Sequence, residues 1–197
     1  MAAQRIGLLG GTFDPPHAGH LAAARACVDE LALDRLLLVV ANCPWQKVDG
    51  REVTPAEDRY AMAEAAAVGV ARVEVSRIEI RRGGPSYTVD TVEELRRDLP
   101  GAELFLAVGA DLVPALSTWR RWEDLRQLVT LAVVTRPGSP RPPDPPGWRV
   151  VDVDGKVVDV SSSDVRHRLE VGEPLDGLVP DAVVRCIRAR GLYAVAR

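Results

Sequence analysis

The strongest constraint on this chain is a series of short runs apolar on both faces, separated by stretches with helical spacing. "RIGLLG" (Arg5–Gly10), "RLLLVVA" (Arg35–Ala41), "ELFLAVG" (Glu103–Gly109) and "LVTLAVVTR" carry almost no polar residue. Between them lie "AGHLAAARACVDELA", "TPAEDRYAMAEAAA" and "TVDTVEELRRDL", with apolar residues at helical intervals. The second of these predicts Thr54 as N-cap, Pro55 at the first helical position and Glu57 in capping-box position. The third stops at Pro100-Gly101. A strand apolar on both faces must be covered on both faces, which antiparallel hairpins rarely achieve. The pattern therefore predicts a doubly wound α/β fold, a parallel sheet with helices on both faces. "ARVEVS" and "RIEIRR" alternate in the manner of strands, and "WRVVDV" and "KVVDVS" add further β-like segments. "SDVRHRLEVG" and "PDAVVRCIRARG" read as two closing helices, a small C-terminal helical part.

At 197 residues the chain is expected to form a single domain, 1–197. The Pro-rich stretch 137–147 reads as a surface loop within it. A net charge of −3 argues against non-specific attraction to nucleic acid or to an anionic membrane. No run is long and apolar enough for a transmembrane helix, and no signal segment is expected. Cys27, Cys43 and Cys186 are widely spaced with no CxxC pair, so neither a disulfide framework nor a zinc knuckle is indicated. A cytoplasmic setting is expected. Basic residues are almost all arginine, and Lys47 and Lys156 are the only lysines. Lys156, after Asp154-Gly155, reads as a hairpin-turn residue.

Ligands of doubly wound sheets bind beyond the carboxyl ends of the strands. That rule selects Gly10–His20, Asn42–Lys47, Gly83–Thr88, Gly109–Asp111, Arg136–Gly138 and Ser161–Ser163. The first, "GGTFDPPHAGH", holds two of the chain's three histidines. Gly10 and Gly11 allow backbone to approach a phosphate, although a plain strand-to-helix turn needs the same residues. A helix starting near Ala18 brings His17 and His20 to one point at its positive end, where two imidazole donors suit a phosphate oxygen gaining charge. Helix capping is the plainer role. Zinc needs three or four ligands, and only His167 and scattered thiols remain to supply them. No Walker loop and no GxGxxG fingerprint is present.

"GGTFDPPHAGH" resembles the GGTFDPxHxGH signature of the HxGH nucleotidylyltransferases, and within them the chain resembles the bacterial nicotinate-nucleotide adenylyltransferases. "GPSYTVDTVEEL" (Gly84–Leu95) is similar to that family's SYTxDTL segment. "GADLVPALSTWRRWEDL" (Gly109–Leu125) is similar to its GAD and WxxW segments, and "TRPG" (Thr135–Gly138) to its RPG. "VSSSDVR" (Val160–Arg166) stands where the family has ISSTxIR, and "LVPDAVVRCIRARGLY" (Leu178–Tyr193) resembles its ending. Departures are "CPWQK" (Cys43–Lys47) for PPHK, Ser163 for threonine and Cys186 for tyrosine.

The resemblance implies a Rossmann-like nucleotidyltransferase fold and adenylyl transfer from ATP to nicotinate mononucleotide without a covalent enzyme intermediate. It implies catalytic roles for His17, His20 and Arg166, with His20 stabilising the transition state and Arg166 holding the β/γ end of ATP. On the ATP side it implies Gly10, Gly11, Thr12, Phe13, Gly109, Asp111, Ser162 and Ser163. Asp111 would accept from the ribose, its plainer role being an N-cap, and the Ser161–Ser163 hydroxyls also read as caps. On the mononucleotide side it implies Asn42, Lys47, Tyr87, Thr88, Trp119 and Arg136. Trp119 would stack on the pyridine ring, Tyr87 and Thr88 would supply donors, and Lys47 would contact phosphate. Trp122 and Trp148 read as core residues, whereas Trp45 fits either loop or site. Magnesium would accompany ATP, held through substrate phosphates with no protein cage. Two other readings stand beside this one: pantetheine-phosphate adenylyltransferase, and a non-catalytic nucleotide-binding regulator on the same fold. The oligomeric state is open, a homo-oligomer included.

Overall fold

A computed structural model describes residues 3–44, 52–135, 140–155 and 160–193. Six strands form one sheet: β1 (Arg5–Gly11), β2 (Arg35–Val40), β3 (Val73–Ser76), β4 (Glu103–Gly109), β5 (Thr130–Thr135) and β6 (Val150–Asp154). Their order is β3-β2-β1-β4-β5-β6, and every neighbouring pair is parallel. The helices are α1 (Ala18–Glu30), α2 (Ala56–Ala67), α3 (Ile78–Arg82), α4 (Thr88–Asp98), α5 (Trp122–Leu128), α6 (Ser162–Val171) and α7 (Asp181–Arg190), with a 3-10 helix over Ala110–Thr118.

The apolar runs become the central strands because both faces are covered. Leu36, Leu38 and Val40 of β2 point into one core, shared with Leu21, Ala24 and Val28 of α1, Met62 of α2, Val165 of α6 and Ile187 of α7. Leu37 and Val39 point the other way, into a second core with Ile78 of α3, Val92 of α4, Leu116 and Leu125. Burying a Leu, Val or Ile side chain fully is worth about 1.5–3 kcal/mol. That gain selects two-sided burial over a one-faced sheet. The approach on the first face is close at Gly7, where a Cβ would lie 2.5 Å from Leu33 Cδ1.

Two local expectations are corrected. "RIEIRR" is helix α3, not a strand. Ser76 Oγ accepts the Ile78 N–H at 3.3 Å and turns the chain out of β3, and i−4 backbone bonds follow, Arg81 to Arg77 at 2.8 Å and Gly83 to Glu79 at 3.0 Å. Both Ile78 and Glu79 are buried, so alternation of letters there is not alternation of faces. In α2 the N-cap position is Pro55, one residue later than expected, and Glu57 binds Arg77 at 2.7 Å without closing a capping box. The Thr54 carbonyl instead accepts from Arg59 Nε at 2.7 Å. Lys156 and most of "KVVDVS" lie outside the described residues.

The chain leaves β1 toward β2 and β3, then returns to β4 on the other side of β1. The switch point is thus between the carboxyl ends of β1 and β4, where the sheet splays and a ligand crevice forms. The strands begin at the opposite rim, where Pro100-Gly101 turns the chain from α4 into β4. No described helix is long and apolar enough to cross a membrane.

Candidate active site

A cleft of about 860 Å³ opens over the switch point. Gly10, His17, His20, Gly109, Trp119 and Arg166 are among the residues that line it.

The β1 end is shaped by absence of side chains. A Cβ on Gly10 would meet nothing within 4 Å, so its backbone faces open cleft. A Cβ on Gly11 would lie 2.9 Å from the Phe13 ring. Phe13 takes φ +52, the left-handed region, and its ring is buried edge-on to His20 with centroids 4.9 Å apart. That backbone costs an ordinary residue about 1–2 kcal/mol, which the buried ring offsets. Thr12 and Asp14 are also buried.

α1 then begins at Ala18, with His17 in the N-cap position and His20 in the first turn. The imidazoles lie with centroids 3.7 Å apart at an interplanar angle of 32°. The His17 backbone N–H donates to His20 Nδ1 at 3.2 Å. Nδ1 is therefore an acceptor, and a neutral His20 carries its proton on Nε2. The helix start fixes the tautomer of the second histidine and makes Nε2–H a donor.

α6 meets the same loop from the other side. Ser161 caps it through a reciprocal box: its Oγ accepts the Asp164 N–H at 3.1 Å, and Asp164 accepts the Ser161 N–H at 3.0 Å. The Ser161 hydroxyl and backbone bonds hold the exposed Asp164 carboxyl below its usual pKa. The next turn is anchored across the chain: Ser162 Oγ donates to the Pro15 carbonyl at 2.9 Å. Arg166 donates to the Asp14 carbonyl at 2.7 Å and to Ser163 Oγ at 2.9 Å. At the β4 end Gly109 takes the N-cap position of the 3-10 helix, and the Asp111 carboxylate folds back into the space a Gly109 Cβ would fill. Asp111 is thus inside the first turn and does not cap it.

The other half of the cleft is built from the β2 and α4 loops. Asn42 joins them: its N–H donates to Ser86 Oγ at 2.8 Å and its Nδ2 to the Gly84 carbonyl at 2.9 Å. Tyr87 is the N-cap residue of α4 and Thr88 its first residue. The Arg120 guanidinium lies 4.5 Å from the Tyr87 ring centroid. Trp119 is half-buried against the second core, and its Nε1 is buried with no partner among the described residues. Trp148 packs on that core too. Lys47, Trp45 and Gln46 in one expected segment, and Arg136 in another, lie outside the described residues.

Sequence reasoning missed Arg59, Asp14 and Tyr193. Arg59 is 1% exposed and donates to three carbonyls, of Thr54 at 2.7 Å, Thr12 at 2.8 Å and Asn42 at 3.0 Å. It therefore joins the start of α2 to the loops after β1 and β2. Burial lowers its pKa, and the Asp14 charge opposes that shift. The Tyr193 hydroxyl donates to Asp14 Oδ1 from the far end of the chain. Burial, then the bond to Asp14, pushes that phenol above its usual range. Asp14, the one carboxylate in the "GGTFDPPHAGH" segment and without an assigned role, was the available signal.

Among the described residues no three His, Cys, Asp or Glu side chains form a metal cluster. The site offers hydrogen-bond donors around an open backbone at a helix start, an arrangement suited to phosphate oxygens.

Residues 8–168 match the family described as cytidylyltransferase-like. The chain is 45% identical over 192 residues to a Corynebacterium kroppenstedtii protein named "Probable nicotinate-nucleotide adenylyltransferase", covering 96% of this chain and 90% of that one. A Streptomyces coelicolor protein of the same name is 45% identical over 186 residues, covering 94% and 98%. Among solved structures, the fold is similar to that of Plasmodium falciparum nicotinic acid mononucleotide adenylyltransferase complexed with NaAD, with TM-score 0.79 at 16% identity over 98% of each chain.

Proposed function

This chain belongs to the cytidylyltransferase-like family and, within it, to the nicotinate-nucleotide adenylyltransferases, and from that membership we infer its reaction. The enzyme transfers the adenylyl group of ATP to nicotinate mononucleotide, giving nicotinate adenine dinucleotide and pyrophosphate, a step in NAD biosynthesis. A 5′-phosphate oxygen of the mononucleotide bonds to the α-phosphorus of ATP, and the bond to the β-phosphate bridging oxygen breaks in line. The nucleophile is already an anion near neutral pH, so the protein supplies position and charge stabilisation and no strong base.

We assign the parts as follows. The carrying observation is that Gly10, His17, His20 and Arg166 line one cleft at the switch point. The open backbone of Gly10 and Gly11 admits the ATP phosphates. His20, with its proton on Nε2, donates to the oxygen that gains charge, and His17 donates beside it. Arg166 and the hydroxyls of Ser162 and Ser163 take the departing β/γ end, where a planar guanidinium suits two-point contact. Thr12 and Phe13 shape the loop under the nucleotide, and Gly109 and Asp111 receive its ribose. Trp119 stacks on the pyridine ring, and the start of α4 at Tyr87 and Thr88 meets the nicotinate carboxylate with N–H groups and the positive helix end. Asn42 acts on the mononucleotide side through its bonds to Gly84 and Ser86, and Lys47 and Arg136 join it on the resemblance alone. Magnesium would enter with ATP as part of the substrate and would supply charge neutralisation at its phosphates, with no residue of this chain assigned to hold it. The reading sets the reaction in the cytoplasm.

The test is an acceptor assay with ATP and magnesium. Pyrophosphate release with nicotinate mononucleotide supports the reading. Release only with phosphopantetheine, or ATP binding with no turnover of either acceptor, overturns it.

A further inference from the structure

Tyr193 belongs to no catalytic assignment above, yet it is tied to the centre of the site. Its hydroxyl donates to Asp14 Oδ1 across 179 positions of sequence. Its backbone sits at φ +53, a region bulky side chains avoid, and its hydroxyl also lies 3.8 Å from Met62 Sδ in the core. Asp14 is 2% exposed, and Arg59 beside it is 1% exposed. The segment 12–15 carries this carboxylate, and its carbonyls hold the opposing elements. The Thr12 carbonyl accepts from Arg59, the Asp14 carbonyl from Arg166 and the Pro15 carbonyl from Ser162. Two residues further on, His17 opens α1. The spacing between the histidines on one side and Arg166 on the other is therefore set by where Asp14 and Pro15 lie.

We propose that Tyr193 is a positioning residue: its hydrogen bond to Asp14 latches the C-terminal end of the chain onto the 12–15 loop and so aligns His17 and His20 with Arg166. A buried carboxylate needs its donors, and a loop that loses one shifts to find another. Burial keeps the phenol protonated, so the latch stays a donor through the alkaline range. The inference rests on the functional reading for the roles of His20 and Arg166, and on geometry alone for the latch.

The test uses the full-length enzyme carrying Tyr193→Phe, which keeps the ring and removes only the hydroxyl. Displacing reacting groups by about 1 Å can cost on the order of 10²-fold, so kcat with nicotinate mononucleotide should fall about 10-fold or more at 25 °C. Affinity for ATP measured without acceptor should also weaken. Asp14→Ala, which removes the acceptor, should lower kcat too, and the double variant should be no worse than the poorer single one, because each change removes one partner of the same bond. A purely structural tyrosine predicts a lower Tm with wild-type kcat at 25 °C, and that result overturns the proposal. Additive losses in the double variant overturn it as well. If the wild-type enzyme itself ignores nicotinate mononucleotide, the functional reading fails. ATP affinity then decides the latch, and an unchanged Kd in Tyr193→Phe refutes it.

Discussion

His20 presents a single defined donor because its other nitrogen is already committed to the His17 backbone N–H. A histidine held that way needs no change of charge state to serve a phosphate oxygen; it needs only to stay neutral with Nε2–H directed at the ligand. Removing it should act on the transition state above all. His20→Ala is expected to lower kcat by about 10²-fold or more, the scale of losing one oxyanion-type donor. An unchanged far-UV CD spectrum would show the fold intact, and steady-state rates check the rest. Turnover equal to wild type would remove His20 from the mechanism. At this scale the sequence was readable where residue type was rare. Two histidines three positions apart stand out in a chain with three. Arg59 did not, because one arginine next to the acidic residues at a helix start looks like a solvated one. Only the assembled fold shows three loop carbonyls converging on its guanidinium.

Among the elements, α6 shows how a helix start does two things at once. Ser161 and Asp164 close a capping box, and the next residues reach across to Pro15 and Asp14. Ser161→Ala should destabilise the fold by about 1 kcal/mol, the usual cost of losing an N-cap, and thermal unfolding measures it. The loss should depend on pH. Asp164 has a folded-state pKa below its unfolded one, so its contribution is complete above the ordinary carboxylate range and disappears as pH falls through the lowered value. The Tm gap between wild type and Ser161→Ala should therefore narrow on acidification, and a gap constant with pH would show that the box is not the cause. The capping signals in "SSSD" were legible because they are local chemistry. The reading of "RIEIRR" failed for the opposite reason. Five residues are too few to separate a period of two from one of 3.6, and a serine hydroxyl at the end of β3 decided the matter.

For the molecule as a whole, burial on both faces of the central strands was written in the runs of leucine and valine, and with it the parallel sheet. Which strand lies beside which was not, since order depends on how helices fill two opposed layers. Nor was the closing contact between Tyr193 and Asp14, which needs both ends of the chain in place. Because every strand runs the same way, whatever the loops after the strands do is segregated from whatever the loops before them do. The Pro100-Gly101 turn belongs to the second set, and a Cβ at Gly101 would meet nothing within 4 Å. Inserting a short Gly/Ser peptide there should leave kcat/KM at its wild-type value, whereas the same insertion between Gly84 and Pro85 should abolish turnover, since Asn42 Nδ2 bonds the Gly84 carbonyl. Equal loss from both insertions would mean the two rims are mechanically coupled. If they are not, the rim at Pro100-Gly101 is a natural handle. A biosensor chip or bead could grip the protein there and leave its cleft facing the solution.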